Sequence, residues 1–451
     1  MSTVYTAGHV LTTEGPGGEL RARPGAALLV DEGRIVAVGD ATALVPRAER
    51  SEVVDFGPGR FIVPGLVDTH VHLALDAGSD PRRSLETATR DDRLALMLVN
   101  ARKLLSAGVT TARDLGAPDL LDQAVKAAIG TGEAHGPRLL TVTAPLTVPG
   151  GHCWFFGGEC EGTEGVRRRV RQAHRDGADA IKVMATGGHL TPGTEPSLPQ
   201  FTAQELAAAV DEAHGRGLRV TAHAHGEVGI LRAIHAGVDS VEHFSFVQPD
   251  GRRRPNPGIE RAAAESGVFV CPTVSLAWAH AVDCDHFAPG QRMRELLDRG
   301  IRVVAGTDAG IDDAPHEEYV SSLEGMGALG MSNDEVLTAA TSLAAESLGL
   351  EAEIGTLEVG KSADFLVVGG NPRRHLGHLR NPYVVVVAGR RYTPEFPSTW
   401  PWNRVAPGLP YRSSQHRRPP QQRGPNMDQA VTSHRPPAGG RRVSTTPEGR
   451  S

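Results

Sequence analysis

Two kinds of apolar spacing alternate along this chain. Near the N-terminus, GAALLVDEGRIVAVG is two apolar runs split by Asp31-Glu32-Gly33-Arg34, a hairpin signal. Near the other end, GTLEVGKSADFLVVG and PYVVVVAGRRY read the same way. Each piece is too small to be stable alone. Residues 1–60 and 351–402 are therefore expected to join in one composite β-sandwich domain. Between them, over 61–350, eight β-rich runs alternate with helical patterns. The runs are Phe61–Asp68, Thr110–Leu115, Arg138–Ala144, Asp179–Ala185, Leu218–His223, Val238–Phe244, Gly267–Val274 and Ile301–Thr307. Several are continuously apolar, as strands of a parallel sheet buried on both faces must be. Arg90–Ser106, Gly165–Asp176 and Thr202–Arg216 have helical character, and Thr202 with Glu205 has the spacing of a capping box. Eight strand–helix units predict an α/β fold, a (β/α)8 TIM barrel. An open doubly wound sheet is the alternative. No Gly-x-Gly-x-x-Gly opens a helix after an early strand, which disfavours a dinucleotide-binding version.

Composition narrows the function classes. Hydrophobic residues are 39% of the 451, enough for a sizeable core. No apolar run approaches the roughly 18 residues of a membrane helix. MSTVYTAGHVLTTEG lacks the basic and apolar regions of a signal peptide, so a cytoplasmic protein without a membrane partner is expected. The cysteines Cys153, Cys160, Cys271 and Cys284 are too sparse for a disulfide scaffold and read as ordinary thiols. From Asn403 onward nine arginines face only Asp428 and Glu448, so this segment carries +7 and the rest of the chain −13. An acidic body argues against nucleic acid as partner. The basic, proline-rich tail 403–451 is expected to be disordered.

The chemistry collects where the strands end, the catalytic face of a barrel. Strand 1 ends in Asp68-Thr69-His70-Val71-His72, and residues two apart on a strand share a face. His70 and His72 can thus reach one cation. His243 and Asp308 stand at two other strand ends, and imidazoles with a carboxylate suit zinc or a neighbouring transition metal. Strand 5 ends in His223-Ala224-His225, and spacing alone leaves open which of the two is a ligand. Lys182 lies inside the apolar run Ala-Ile-Lys-Val-Met, in a chain with four lysines and 43 arginines. A neutral lysine there can take up CO2 as a carbamate and bridge two metals, a task arginine cannot perform. A paired or snorkelling lysine and a Schiff-base lysine are the other readings.

VDTHVH, DAIKVMATGGH, TAHAHG, VEH and GTDAG, in this order, resemble the amidohydrolase superfamily over about residues 5–395. They look like the branch of imidazolonepropionase-like proteins, Xaa-Pro and Xaa-Arg dipeptidases and the fungal ochratoxin-hydrolysing amidase. The resemblance implies two divalent ions, zinc by preference. His70, His72 and Asp308 would hold one, and His223 and His243 the other, bridged by carboxylated Lys182. It assigns His223 as the ligand and sets His225 near substrate. The expected mechanism is attack on an amide carbonyl by a metal-bridging hydroxide, with catalytic Asp308 as base and then acid. One departure is Gly226, where imidazolonepropionases and many deaminases carry a glutamate.

Four residues are expected near the substrate: His189, His225, His152 and Arg113. Arg113 would meet a substrate carboxylate, or else pair structurally with an acid. The reaction expected is hydrolysis of a small-molecule amide, a dipeptide or N-acyl amino acid, in a chain compatible with a homo-oligomer. Lactone or phosphotriester hydrolysis, imidazolonepropionase-type ring opening and a non-catalytic scaffold are the rivals.

Overall fold

The computed structural model describes residues 2–14, 19–48, 52–275 and 292–398. Before residue 65 lie β1 (Thr3–Thr6), β2 (His9–Glu14), β3 (Glu19–Pro24), β4 (Ala26–Asp31), β5 (Arg34–Asp40), β6 (Glu52–Asp55) and β7 (Phe61–Pro64). The parallel strands are β8 (Leu66–Val71), β9 (Val109–Asp114), β10 (Arg138–Thr141), β11 (Ala180–Met184), β12 (Arg219–Ala224), β13 (Ser240–His243), β14 (Phe269–Cys271) and β15 (Arg302–Val303). Last come β16 (Phe365–Val368), β17 (Val384–Val387) and β18 (Arg390–Tyr392).

Strands from the two chain ends meet in mixed sheets. One sheet has the order β5-β4-β1-β6, and the other β18-β17-β16-β7-β2-β3. The β4–β5 hairpin turns at Glu32 and Gly33, whose φ values of 47° and 77° are both left-handed. That geometry matches the twist of paired strands. Tyr5, Leu28 and Ile35 pack with Ile62, Phe365 and Val386 in one apolar cluster drawn from both sheets. This shared cluster answers the problem that neither end can bury its own apolar face.

The middle of the chain alternates strands and helices. β8–β10 and β11–β15 form two all-parallel sheets. β8, β9, β11, β13 and β14 are buried at every residue, as their unbroken apolar runs require. The two sheets are bridged at both edges. Leu146 pairs with Val183 and Val71 with Ala309, and Leu146 N donates to Lys182 O at 2.8 Å. Helices occupy Arg90–Ser106, Gly162–Arg175 and Ala203–His214, and the Thr202–Glu205 capping box is formed. Among the described residues no helix is long and apolar enough to cross a membrane.

One expected element divides. Phe61–Asp68 reads as a single strand, but Phe61–Pro64 pairs with β16 and β2 while the parallel strand begins at Leu66. Pro64 has no N–H to extend a ladder. At Gly65 a Cβ would lie 2.1 Å from Thr110 Oγ1, so only glycine lets the chain pass this close to β9. The expected boundary at residue 61 therefore moves to Gly65. The tail 403–451 and Cys284 lie outside the described residues.

Candidate metal centre

Two groups of buried ligand-type side chains stand at the ends of the parallel strands. The first is His70, His72 and Asp308. His70 Nδ1 lies 2.8 Å from Glu242 Oε2. Burial opposes ionisation of Glu242, but Arg113 and His70 outweigh it and hold the carboxyl well below its usual range. The carboxylate can only accept, so His70 donates its Nδ1–H. The neutral ring then turns the lone pair of Nε2 toward Asp308 Oδ1 at 3.1 Å. His72 Nε2 lies 3.3 Å from the same oxygen, and its Nδ1 is buried without a partner. Burial also disfavours the Asp308 anion, yet the two histidines hold its carboxyl well below the usual range.

Asp308 has a left-handed φ of 61°, and its N–H donates to His70 O at 2.8 Å. Asp68 ties the same two segments together. It accepts from His70 N at 3.1 Å, Thr307 N at 3.1 Å and Thr307 Oγ1 at 2.7 Å. Burial pushes the Asp68 carboxyl up to about 7.

The second group is His223, His225 and His243. His223 Nε2 donates to Gly187 O at 3.0 Å, which leaves a lone pair on Nδ1. Thr273 gives its hydroxyl proton to Pro272 O, so it accepts from His243 Nδ1–H at 2.9 Å. His243 therefore carries its lone pair on Nε2. These two lone-pair nitrogens face each other at 2.8 Å. No proton is left to join them, and burial drives all three rings well below the usual imidazole range, toward the neutral form. Two buried acceptors that close repel unless a cation sits against both. The donor set thus fits a divalent ion, and imidazole favours zinc or a similar metal.

Lys182 is 1% exposed. Burial lowers its amine's pKa, opposed by the charges of Glu242 and Asp308. Its own charge acts on His72, His223 and His243, so it lies within reach of both groups.

The expected substrate residues separate. His152 is buried with its ring centroid 4.5 Å from that of His223. Gly188 makes the room, since a Cβ there would lie 2.3 Å from His152 Nε2. His189 is exposed, 5.2 Å from the His225 ring, and His225 Nδ1 meets Ser245 Oγ at 2.7 Å. Arg113 corrects an expectation. It is 2% exposed and bonds Glu242 Oε1 at 2.9 Å and Thr69 O at 2.8 Å. The guanidinium is committed to a buried acid rather than offered to a substrate. Gly226 also has a structural reason: a Cβ there would lie 2.3 Å from Ser197 O, so no glutamate fits this backbone.

Glu242 is the functional residue that motif reading passed over. It is 0% exposed and accepts from Arg113, Ser240 and Thr221 as well as His70. The available signal was a carboxylate beside a ligand histidine inside a buried strand, where an acid needs a strong partner.

Comparisons with known proteins agree with this geometry. The family model described as the amidohydrolase family matches residues 61–392. The chain is 30% identical over 422 residues to ochratoxinase of Aspergillus niger, spanning 85% of this chain and 84% of that one. It is 28% identical over 407 residues to imidazolonepropionase of Symbiobacterium thermophilum, spanning 82% and 89%. Among solved structures, a Xaa-Pro dipeptidase with methionine bound in its active site matches with a TM-score of 0.77 and 27% identity, covering 87% of this chain and 100% of that one.

Proposed function

This chain belongs to the amidohydrolase family, and from that premise we propose that it hydrolyses a dipeptide or N-acyl amino acid at a centre of two divalent ions. Hydrolysis of carbon–nitrogen bonds follows from the family and its named relatives, ochratoxinase and imidazolonepropionase. The amino acid character of the substrate is our inference, favoured by the likeness to a Xaa-Pro dipeptidase. We take the eight parallel strands as a closed barrel, supported by the bridges at both sheet edges, and the two mixed sheets as a sandwich around their common core.

His70, His72 and Asp308 would hold one ion, and His223 and His243 the other. We propose that Lys182 is carboxylated: its amine adds to CO2 and releases a proton, so a cation becomes an anion with two oxygens facing both groups. The bound ions supply Lewis acidity, which makes water nucleophilic near neutrality and polarises the amide carbonyl. Asp308, fixed beside His70 and His72, accepts the proton of the attacking water and hands it to the departing amine. Glu242 positions His70 through Nδ1.

The observation that carries this reading is the 2.8 Å approach of the His223 and His243 lone pairs. The test joins metal analysis with a substrate panel of dipeptides, N-acyl amino acids, lactones and phosphotriesters. Two ions per chain with turnover of the amides is expected. Turnover of only triesters or lactones, or a chain that binds no metal, overturns it.

A further inference from the structure

Beside the histidines, the loop after β11 and the loop after β13 line a pocket of about 270 Å3. His189, Glu195 and Ser197 line it from the first loop, and Gln248 and Arg253 from the second. Glycines seat the first loop. A Cβ at Gly187 would lie 2.5 Å from Glu195 O, and one at Gly226 2.3 Å from Ser197 O. The second loop is a hairpin in which Val247 bridges Arg253, and Val247 N donates to His225 O at 3.0 Å. Arg253 is thereby registered, through Val247, against a residue of the second histidine group.

The three consecutive arginines of this hairpin differ. Arg254 reaches Asp250 at 2.9 Å and Arg252 reaches it at 4.0 Å, both away from the pocket wall. Arg253 lines the pocket, and its charge acts on both His189 and His225. Arg253 and Glu195 thus bring opposite charges to one small space from two loops. The volume falls below the roughly 300–1,000 Å3 of drug-sized sites and suits a single amino acid.

We propose that this pocket receives the leaving amino acid of the substrate, with Arg253 pairing its free α-carboxylate and Glu195 selecting a basic side chain. This deepens the amide-hydrolase reading and rests on it. A guanidinium meets a carboxylate with two charge-assisted hydrogen bonds. Glu195 attracts a lysine or arginine side chain and repels an acidic one, so discrimination has an attractive and a repulsive part.

The test uses zinc-loaded full-length protein with N-acetyl-L-lysine, N-acetyl-L-aspartate and the methyl ester of the first. Wild type is expected to favour the free lysine acid. Arg253→Met should raise KM for that acid by about tenfold or more, with kcat held within about threefold and the ester unaffected. Glu195→Lys should reverse the preference between lysine and aspartate. Calorimetric binding of L-lysine gives a second readout, with thermal unfolding as the check on folding. If acid and ester are turned over alike, or Arg253→Met changes nothing, the pocket assignment fails and the hydrolase reading stands. If no amide is cleaved but L-lysine binds wild type and not Arg253→Met, the pocket stands and the hydrolase reading falls. Neither turnover nor binding overturns both.

Discussion

The two histidine groups are held by different chemistry. His70 and His72 are fixed by carboxylates: Glu242 on Nδ1 of His70, Asp68 on the backbone between them, and Asp308 against both rings. His223, His225 and His243 are fixed by neutral oxygens, those of Gly187, Ser245 and Thr273. The first group brings its own negative charge, so a dication there is partly neutralised before any substrate arrives. The second offers imidazoles only and needs an anion from elsewhere. Lys182 is placed to supply it as a carbamate. The asymmetry teaches that the two ions should differ in affinity, with the first held more firmly.

The harshest way to break this comparison is to remove the shared carboxylate. Asp308→Asn is expected to lower kcat by about 10²–10⁴-fold, the range for loss of a general acid–base group. Metal analysis should show the ion of the first group weakened and the second retained. Lys182→Met attacks the other side. It should leave one ion per chain, at the first group, with activity lost by a factor approaching that of Asp308→Asn. Two ions bound at unchanged affinity in Lys182→Met would end the carbamate reading.

Glu242→Gln sharpens the contrast more gently. Residues that orient a ligand histidine typically contribute about 10–100-fold in metal affinity. That loss is expected at the first group alone, read by competition with a chelator. The same change leaves Arg113 buried without its anion, which costs about 3–5 kcal/mol by the usual scale for a broken buried pair. A companion Arg113→Met in the Glu242→Gln background should restore stability without restoring metal affinity. This separates the structural role of Glu242 from its positioning of His70.

The sequence made the rim legible and left its support illegible. Continuous apolar runs betray strands buried on both faces, and His70, His72, His223, His243 and Asp308 all stand where those runs stop. Glu242 escaped because strand alternation assigns neighbours to opposite faces. Here His243 adopts φ 70° and Phe244 φ 49°, so the alternation breaks where both side chains serve the centre. Arg113 could not be placed because its partner lies 129 residues away on another strand. The division of Phe61–Asp68 is set by β2 and β16, which claim its first half, and no local pattern announces them.

Acid should expose the second group in metal-free protein. Burial keeps His223, His225 and His243 well below the usual imidazole range, so the folded chain binds fewer protons than the unfolded chain. Above about pH 6.5 both states are neutral there and these rings add no pH dependence. As pH falls through 6.5 the unfolded state takes up protons first and is favoured. Stability should then drop by about 1.4 kcal/mol per pH unit for each such ring. His152 and His316, both lowered by burial to about 3, act in the same direction. Urea unfolding of chelator-treated protein between pH 7 and 5 measures the slope. Replacing His225 with Gln should make it shallower by one ring, and an unchanged slope would show that His225 is already charged when folded.

The smallest expected effect probes the neutral support itself. Thr273 accepts the Nδ1 proton of His243 and so leaves the Nε2 lone pair facing His223. Thr273→Val keeps the shape and removes that oxygen. A neutral hydrogen bond contributes about 0.5–1.5 kcal/mol, so second-group affinity should fall by about two- to tenfold. The first group should be untouched, because none of its bonds passes through Thr273. Equal weakening of both ions would mean that the two groups act as one coupled cage, and the contrast between charged and neutral support would lose its meaning. Weakening confined to the second ion would show that one hydroxyl, with no charge of its own, selects the tautomer that makes His243 a ligand.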